Sequence, residues 1–168
     1  EMLQTTSCFH ENDILINDRG FLSRDMANYL KAVRKVDTYI PARENMTIYK
    51  EAVKLAALSG KWQKHPNRKR KNQEIQLVTD LGPFWESDGP EKDVPVNACV
   101  VHDKKTDKYF VFLTTDTSRT ARQIINTYEL RPEIEEDFRQ MKDFWKLEDF
   151  KSTKYNYITY HIVMTLVG

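Results

Sequence analysis

The sequence predicts an α/β domain, and three observations carry that reading. Short runs of β-branched and aromatic residues, bounded by Gly, Pro, Asn and Asp, recur along the chain. Between them lie segments with helical apolar spacing, opened by Ser, Asp or Pro and closed near Gly. The length of 168 residues, 40% of them hydrophobic, suits one buried core or one core carrying an insertion.

Taken in order, Ile14-Leu15-Ile16 forms the apolar centre of a strand near Asp13 to Asn17, which delivers Asp18 to a turn containing Gly20 and Phe21. Ser23 caps the helix that follows, with Met26, Tyr29, Leu30 and Val33 as its buried stripe. A strand at Thr38 to Pro41 comes next, then a helix over Thr47 to Leu58 that stops near Gly60. Strand-like runs occupy Glu74 to Thr79 and Val96 to His102, and the latter pairs with Tyr109 to Thr115 across the polar turn Asp103 to Lys108. Asp116 to Ser118 caps a helix through Asn126, and Pro132 opens a last helix that carries Glu135. Gly82-Pro83 to Gly89-Pro90 reads as a loop, and no internal repeat is apparent.

A formal net charge of +1 does not by itself announce a polyanion as partner. The distribution says more, because Arg68, Lys69, Arg70 and Lys71 crowd into a stretch without apolar periodicity. Such a loop can neutralise phosphates or be a solvated charge run. Cys8 and Cys99 are too few and too far apart for a disulfide framework or a zinc site, and the four histidines are scattered. A metal, if bound, is expected to be hard and held by oxygen, which means magnesium or manganese. No signal peptide is evident, and the apolar stretch Ile158 to Val167 is too short and polar to span a bilayer. A cytoplasmic protein with no membrane partner is expected.

Two acidic positions stand out. In YELRPEIEEDFRQMKDFWKLEDF, the residues Tyr128, Arg131, Glu135 and Lys142 fall within about a 60° arc at roughly 100° per residue of helix. One face would present a carboxylate flanked by two cations and a phenol, as phosphodiester chemistry requires. Upstream, NDILINDRGF places Asp18 where a strand stops, so it is either a metal ligand at a sheet edge or a turn-former capping the strand.

The first spacing matches the Y-(2)-R-(3)-E-(6)-K signature of the insertion-sequence family four transposases, cut-and-paste enzymes with an Asp-Asp-Glu triad. Asp18 to Phe21 resembles the D-x-G-F segment that carries the second triad acid in the same family. The resemblance implies an incomplete ribonuclease H-like core, with a β-rich insertion between the second and third acids. The core's first part would be residues 1–35, the insertion 36–107, and the C-terminal part of the core 108–168. It also implies that Asp18 and Glu135 hold two divalent ions about 4 Å apart, with Tyr128, Arg131 and Lys142 contacting phosphates at the transposon end. Arg139, one turn beyond Glu135, is expected to pair with it.

In related enzymes an aromatic of the inserted region stacks on a base rotated out of the duplex. Trp85 and Trp62 lie in the corresponding region, with buried packing as the other fate of either side chain. The implied partners are transposon-end DNA and target DNA, with a homodimer in the synaptic complex, in a prokaryotic cytoplasm close to the nucleoid.

The sequence departs from the family at its start, since MLQTTSCFHEN offers no apolar strand ending in Asp. The expectation is therefore the C-terminal part of a longer transposase that lacks the first acid, inactive and prone to self-association when isolated. A non-catalytic DNA-binding remnant, or an unrelated α/β interaction domain, are the other readings. Restored metal-dependent cleavage distinguishes the first alternative, and the effects of Glu135→Gln and Lys142→Ala on DNA binding and cleavage the second.

Overall fold

The computed structural model describes residues 10–81, 94–131, 136 and 139. Two compact units are formed, Glu1–Glu129 and Leu130–Gly168. The first is a mixed α/β unit built on a six-stranded, mostly antiparallel sheet in the order β1-β2-β6-β5-β4-β3. Its strands are β1 (Ile14–Ile16), β2 (Asp37–Pro41), β3 (Gln63–Lys64), β4 (Gln73–Val78), β5 (Asn97–Asp103) and β6 (Lys108–Thr114). Its α-helices are α1 (Arg24–Tyr29), α2 (Thr47–Ser59) and α3 (Ala121–Tyr128). Among the described residues only β1 and β2 run parallel, Ile16 lying opposite Tyr39, and every other pair is antiparallel.

Helices cover both faces of the sheet, and the side-chain alternation of each strand sorts its residues between them. Ile40, Val78, Ala98, Val100, Val111 and Leu113 face the side of α2, with Ala52 and Ala56. Tyr39, Ile75, Cys99 and Val101 face α3, with Ile124 and Ile125. β5 consequently reads as the unbroken run Asn97 to Val101, buried at every position rather than alternately. Burial pushes the pKa of the free Cys99 thiol well above its ordinary value and keeps it protonated.

Local chemistry explains the boundaries. The Ser23 hydroxyl accepts the Met26 N–H at 3.3 Å and opens α1. The turn of residues 103–108 closes because Asp103 Oδ1 accepts the Lys105 and Thr106 N–H groups at 2.9 and 3.2 Å, and Asp107 takes φ 52°. α2 stops where Gly60 adopts φ 63° and donates its N–H to the Ala56 carbonyl. Nothing lies within 4 Å of an added Cβ there, so Gly60→Ala isolates the left-handed backbone cost. It is expected to lower stability by about 1 kcal/mol, read as a shifted urea midpoint at unchanged slope.

Two local expectations are corrected, and the expected turn containing Gly20 is present. Val33 is 62% exposed, because the chain widens into a π-turn over Leu30–Arg34 and rotates it off the stripe set by Leu30. The cap of α3 is Thr120, not Asp116 to Ser118. Thr120 forms a reciprocal capping box with Gln123, while Asp116 binds Ser118 and Arg119 instead. Gly20 keeps a backbone open to any residue, since Gly60 is the one positive-φ glycine among the described residues. The turn at Asp18 is a 3₁₀ turn over Arg19–Phe21, which needs no glycine.

In the second unit Arg131, Glu136 and Arg139 are helical, and Arg139 donates from Nε to Glu136 Oε2 at 2.9 Å. Glu136, an i,i+3 neighbour, is one partner of Arg139. Glu135, expected to pair with it, lies outside the described residues.

Candidate functional site

Asp18 leaves β1 at the edge where β2 also ends, because parallel neighbours finish on the same side of a sheet. The Asn17 N–H donates to the Tyr39 carbonyl at 2.9 Å, which extends the pairing up to the acid. Asp18 Oδ1 then accepts the Arg19 N–H at 2.7 Å, and its carbonyl accepts the Phe21 N–H at 2.9 Å. The carboxylate is exposed, and so is Phe21 at 73%. Arg43, two residues past β2, donates from Nε to the Arg19 carbonyl at 3.3 Å. Its guanidinium is thereby held beside the Asp18 turn. The sequence reading missed Arg43, although a cation directly after the parallel neighbour of an acid-bearing strand was the available signal.

The register carries this edge across the whole sheet. Pro41 of β2 lies opposite Phe112, Lys108 opposite Asp103, and Asp103 opposite Gln73; Glu74 lies opposite Lys64. The exits of β1, β2, β3 and β5 and the entries of β4 and β6 therefore share one side. Asp18, Arg43, the hairpin turn with Lys104 and Lys105, and the loop carrying Arg68, Lys69, Arg70 and Lys71 all lie along it. α3 starts near the opposite edge and runs back towards this one. The Tyr128 ring at its end packs on Phe112, with centroids 4.6 Å apart and planes tilted by 43°. Phe112 is opposite Pro41, which puts Tyr128 about 10 Å, two strand spacings, across the sheet from β1.

Within the basic loop the cations differ. All four are exposed, but Arg70 Nε lies 2.8 Å from Glu129 Oε1 and its Nη1 donates to Gln73 Oε1 at 3.3 Å. His65, just before the loop, is buried; its Nδ1 accepts the Asn67 N–H at 3.1 Å, and its Nε2 faces Glu129 Oε1 at 3.8 Å. Burial lowers the basicity of His65; Glu129 opposes that effect and Arg70 adds to it. A segment read from sequence as an open loop is thus pinned to the end of α3.

Trp62 is half-buried, tilted against His102 at 5.7 Å and Tyr109 at 6.4 Å, and it packs on the α2 side of the core. Arg131 is half-buried in the second unit. Trp85, Glu135 and Lys142 lie outside the described residues. Among the described residues no group of three or more His, Cys, Asp or Glu is placed to hold a metal ion. Asp18, a hard oxygen donor on an exposed turn, fits one position of a divalent site. No helix of the described residues is long and apolar enough to cross a membrane.

An acid at a strand exit, on a sheet edge that also collects cations, is a geometry suited to phosphodiesters. Comparison with known families agrees: residues 1–167 match the family described as the transposase DDE domain, and the chain belongs to that family. Neither a curated protein nor a solved structure matches it. Membership makes DNA the partner and implies DNA cleavage in transposition. Domains of this family normally use divalent metal ions.

Proposed function

We propose that this chain is the catalytic region of a cut-and-paste transposase of the insertion-sequence family four type, cleaving and joining phosphodiesters at transposon ends. The observation that carries the reading is the single side of the sheet along which Asp18, Arg43, Tyr128 and the basic loop are arrayed. In this reading β1 and β6 belong to a ribonuclease H-like core, while β2 to β5 fall within the insertion. The β-rich insertion spans 36–107 and the core resumes at 108.

Divalent magnesium or manganese, when bound, supplies activation of the attacking oxygen and charge stabilisation of the leaving oxygen. Asp18 and Glu135 contribute the carboxylate oxygens that hold it. Tyr128 hydrogen-bonds a phosphate oxygen through its phenol, and Lys142 neutralises a neighbouring phosphate as a point charge. Arg68, Lys69 and Lys71 track the backbone, and Trp85 offers a stacking surface to an unpaired base. Two copies act together on two ends.

Arg131 forms a planar fork on one phosphate, a task that a lysine of equal charge cannot perform. Arg131→Lys in the full-length transposase is therefore expected to lower end cleavage about tenfold or more, with end binding also weakened. Gel-shift and magnesium-dependent cleavage assays on transposon-end DNA read both. Equal binding and cleavage by wild type and variant would refute the role of Arg131.

A further inference from the structure

The basic loop has a feature that phosphate binding does not explain. Arg70 turns inward to a carboxylate of its own chain, and a buried histidine faces the same carboxylate. The His65 side chain is 1% exposed, and its Nε2 has no hydrogen-bond partner. Because Nδ1 accepts the Asn67 N–H, the neutral ring carries its proton on Nε2, which lies 3.8 Å from Glu129 Oε1, a charge contact and not a hydrogen bond. Glu129 is 20% exposed, directly follows Tyr128, and donates its own N–H to the Ile125 carbonyl at the end of α3. The loop is braced from within as well. Asn67 Oδ1 accepts the Lys69 N–H at 3.0 Å, and the Asn67 carbonyl accepts the Arg70 N–H at 3.0 Å.

We infer that Glu129, acting through Arg70 and His65, is a positioning residue that clasps the basic loop beside Tyr128, and that Arg70 serves this clasp rather than a DNA phosphate. The inference rests on the proposed DNA-binding role of the loop. Its consequence is a division of labour among neighbouring cations: Arg70 holds the loop while Arg68, Lys69 and Lys71 remain turned to solvent. Loop and tyrosine then present a single surface to the duplex, with the ordering of the loop established before DNA arrives.

The two roles for Arg70 predict opposite signs for one substitution. Glu129→Gln removes a negative charge beside a basic loop, so long-range electrostatics alone would tighten DNA binding. A clasp predicts the reverse. Affinity of the full-length protein for a short mixed-sequence DNA duplex should fall about fivefold in Glu129→Gln and by a similar factor in Arg70→Gln. The double variant should lose no more than either single one, and Arg70→Glu combined with Glu129→Arg should recover most of the loss.

Amide hydrogen exchange of residues 67–71 should quicken in Glu129→Gln while that of β5 stays unchanged. Tighter binding by Glu129→Gln, additive losses in the double variant, or unchanged exchange in the loop would each overturn the clasp. The combined variant Arg68→Ala, Lys69→Ala, Lys71→Ala tests the underlying reading. Unchanged duplex affinity there removes the DNA role of the loop, whereas the exchange measurement still judges the clasp itself.

Discussion

Asp18→Asn is expected to lower magnesium-dependent cleavage of transposon-end DNA by at least about a thousandfold in the full-length transposase, or about 4 kcal/mol in barrier height. End binding should persist. Asparagine keeps the side-chain oxygen that accepts the Arg19 N–H, so the 3₁₀ turn and the position of Arg43 beside it are retained. What is lost is the charge, and with it the ability to hold a hard divalent cation. Gel-shift and cleavage assays on the same DNA separate the two effects. Cleavage at near wild-type rate would remove Asp18 from the catalytic set, and loss of both binding and folding would make it the strand cap that its local hydrogen bonds also allow.

The largest stability effect is expected far from this edge, at Asp116. Its Oδ2 accepts the Tyr39 hydroxyl at 3.1 Å and Arg119 Nε at 2.7 Å, while Oδ1 accepts the Ser118 hydroxyl at 2.6 Å. These bonds tie β2 to the entry of α3. Asp116→Ala removes the charged acceptor shared by the buried Tyr39 hydroxyl, Ser118 and Arg119, and should cost about 3 kcal/mol, lowering the melting temperature by about 6–12 °C. Arg119 contributes little to that loss, since its side chain is 41% exposed and screened.

Burial alone would raise the Asp116 carboxyl, but the bonds from Ser118, Arg119 and Tyr39 together outweigh it and hold the group below its ordinary value. A depressed carboxyl stabilises the fold above its unfolded value near pH 4, and that contribution is lost as pH falls through the lower folded value. Tyr39 behaves in the opposite sense. Burial first, then Asp116, pushes its phenol up to about 12, so its contribution is complete below pH 10 and lost as pH rises towards 12. Wild type should therefore lose stability at both extremes, and Asp116→Ala should show a flatter acid limb in urea unfolding.

Much of the local structure was legible. Short β-branched and aromatic runs located β2, β4, β5 and β6 within a residue or two, and Gly60 and Ser23 marked helix ends through their backbone and side-chain chemistry. The misreadings have specific causes. A π-turn changes the helical period without a local residue signature, and so Val33 came out exposed. Two equally good caps, Asp116 and Thr120, compete ahead of α3; the nearer one won because Asp116 is taken up by Tyr39 of a strand 77 residues away. β3, only two residues long, is too brief to show a pattern.

For the site, the sequence by itself determined the acids and cations as residue types and the stop of a strand at Asp18. Those are local properties, written within a few turns of chain. The single helical arc expected for Tyr128 and Arg131 is corrected, because α3 ends at Tyr128 and a turn at Glu129 and Leu130 separates it from Arg131. Only the tertiary structure decided that β1 and β2 run parallel while the remaining strands alternate, and hence that Asp18, Arg43, the basic loop and Tyr128 lie along one side of the sheet. It likewise decided that Arg70 faces Glu129, fifty-nine positions further along the chain. Strand pairing depends on which distant residues bury each other's faces, a choice made by the whole core at once that no local window contains.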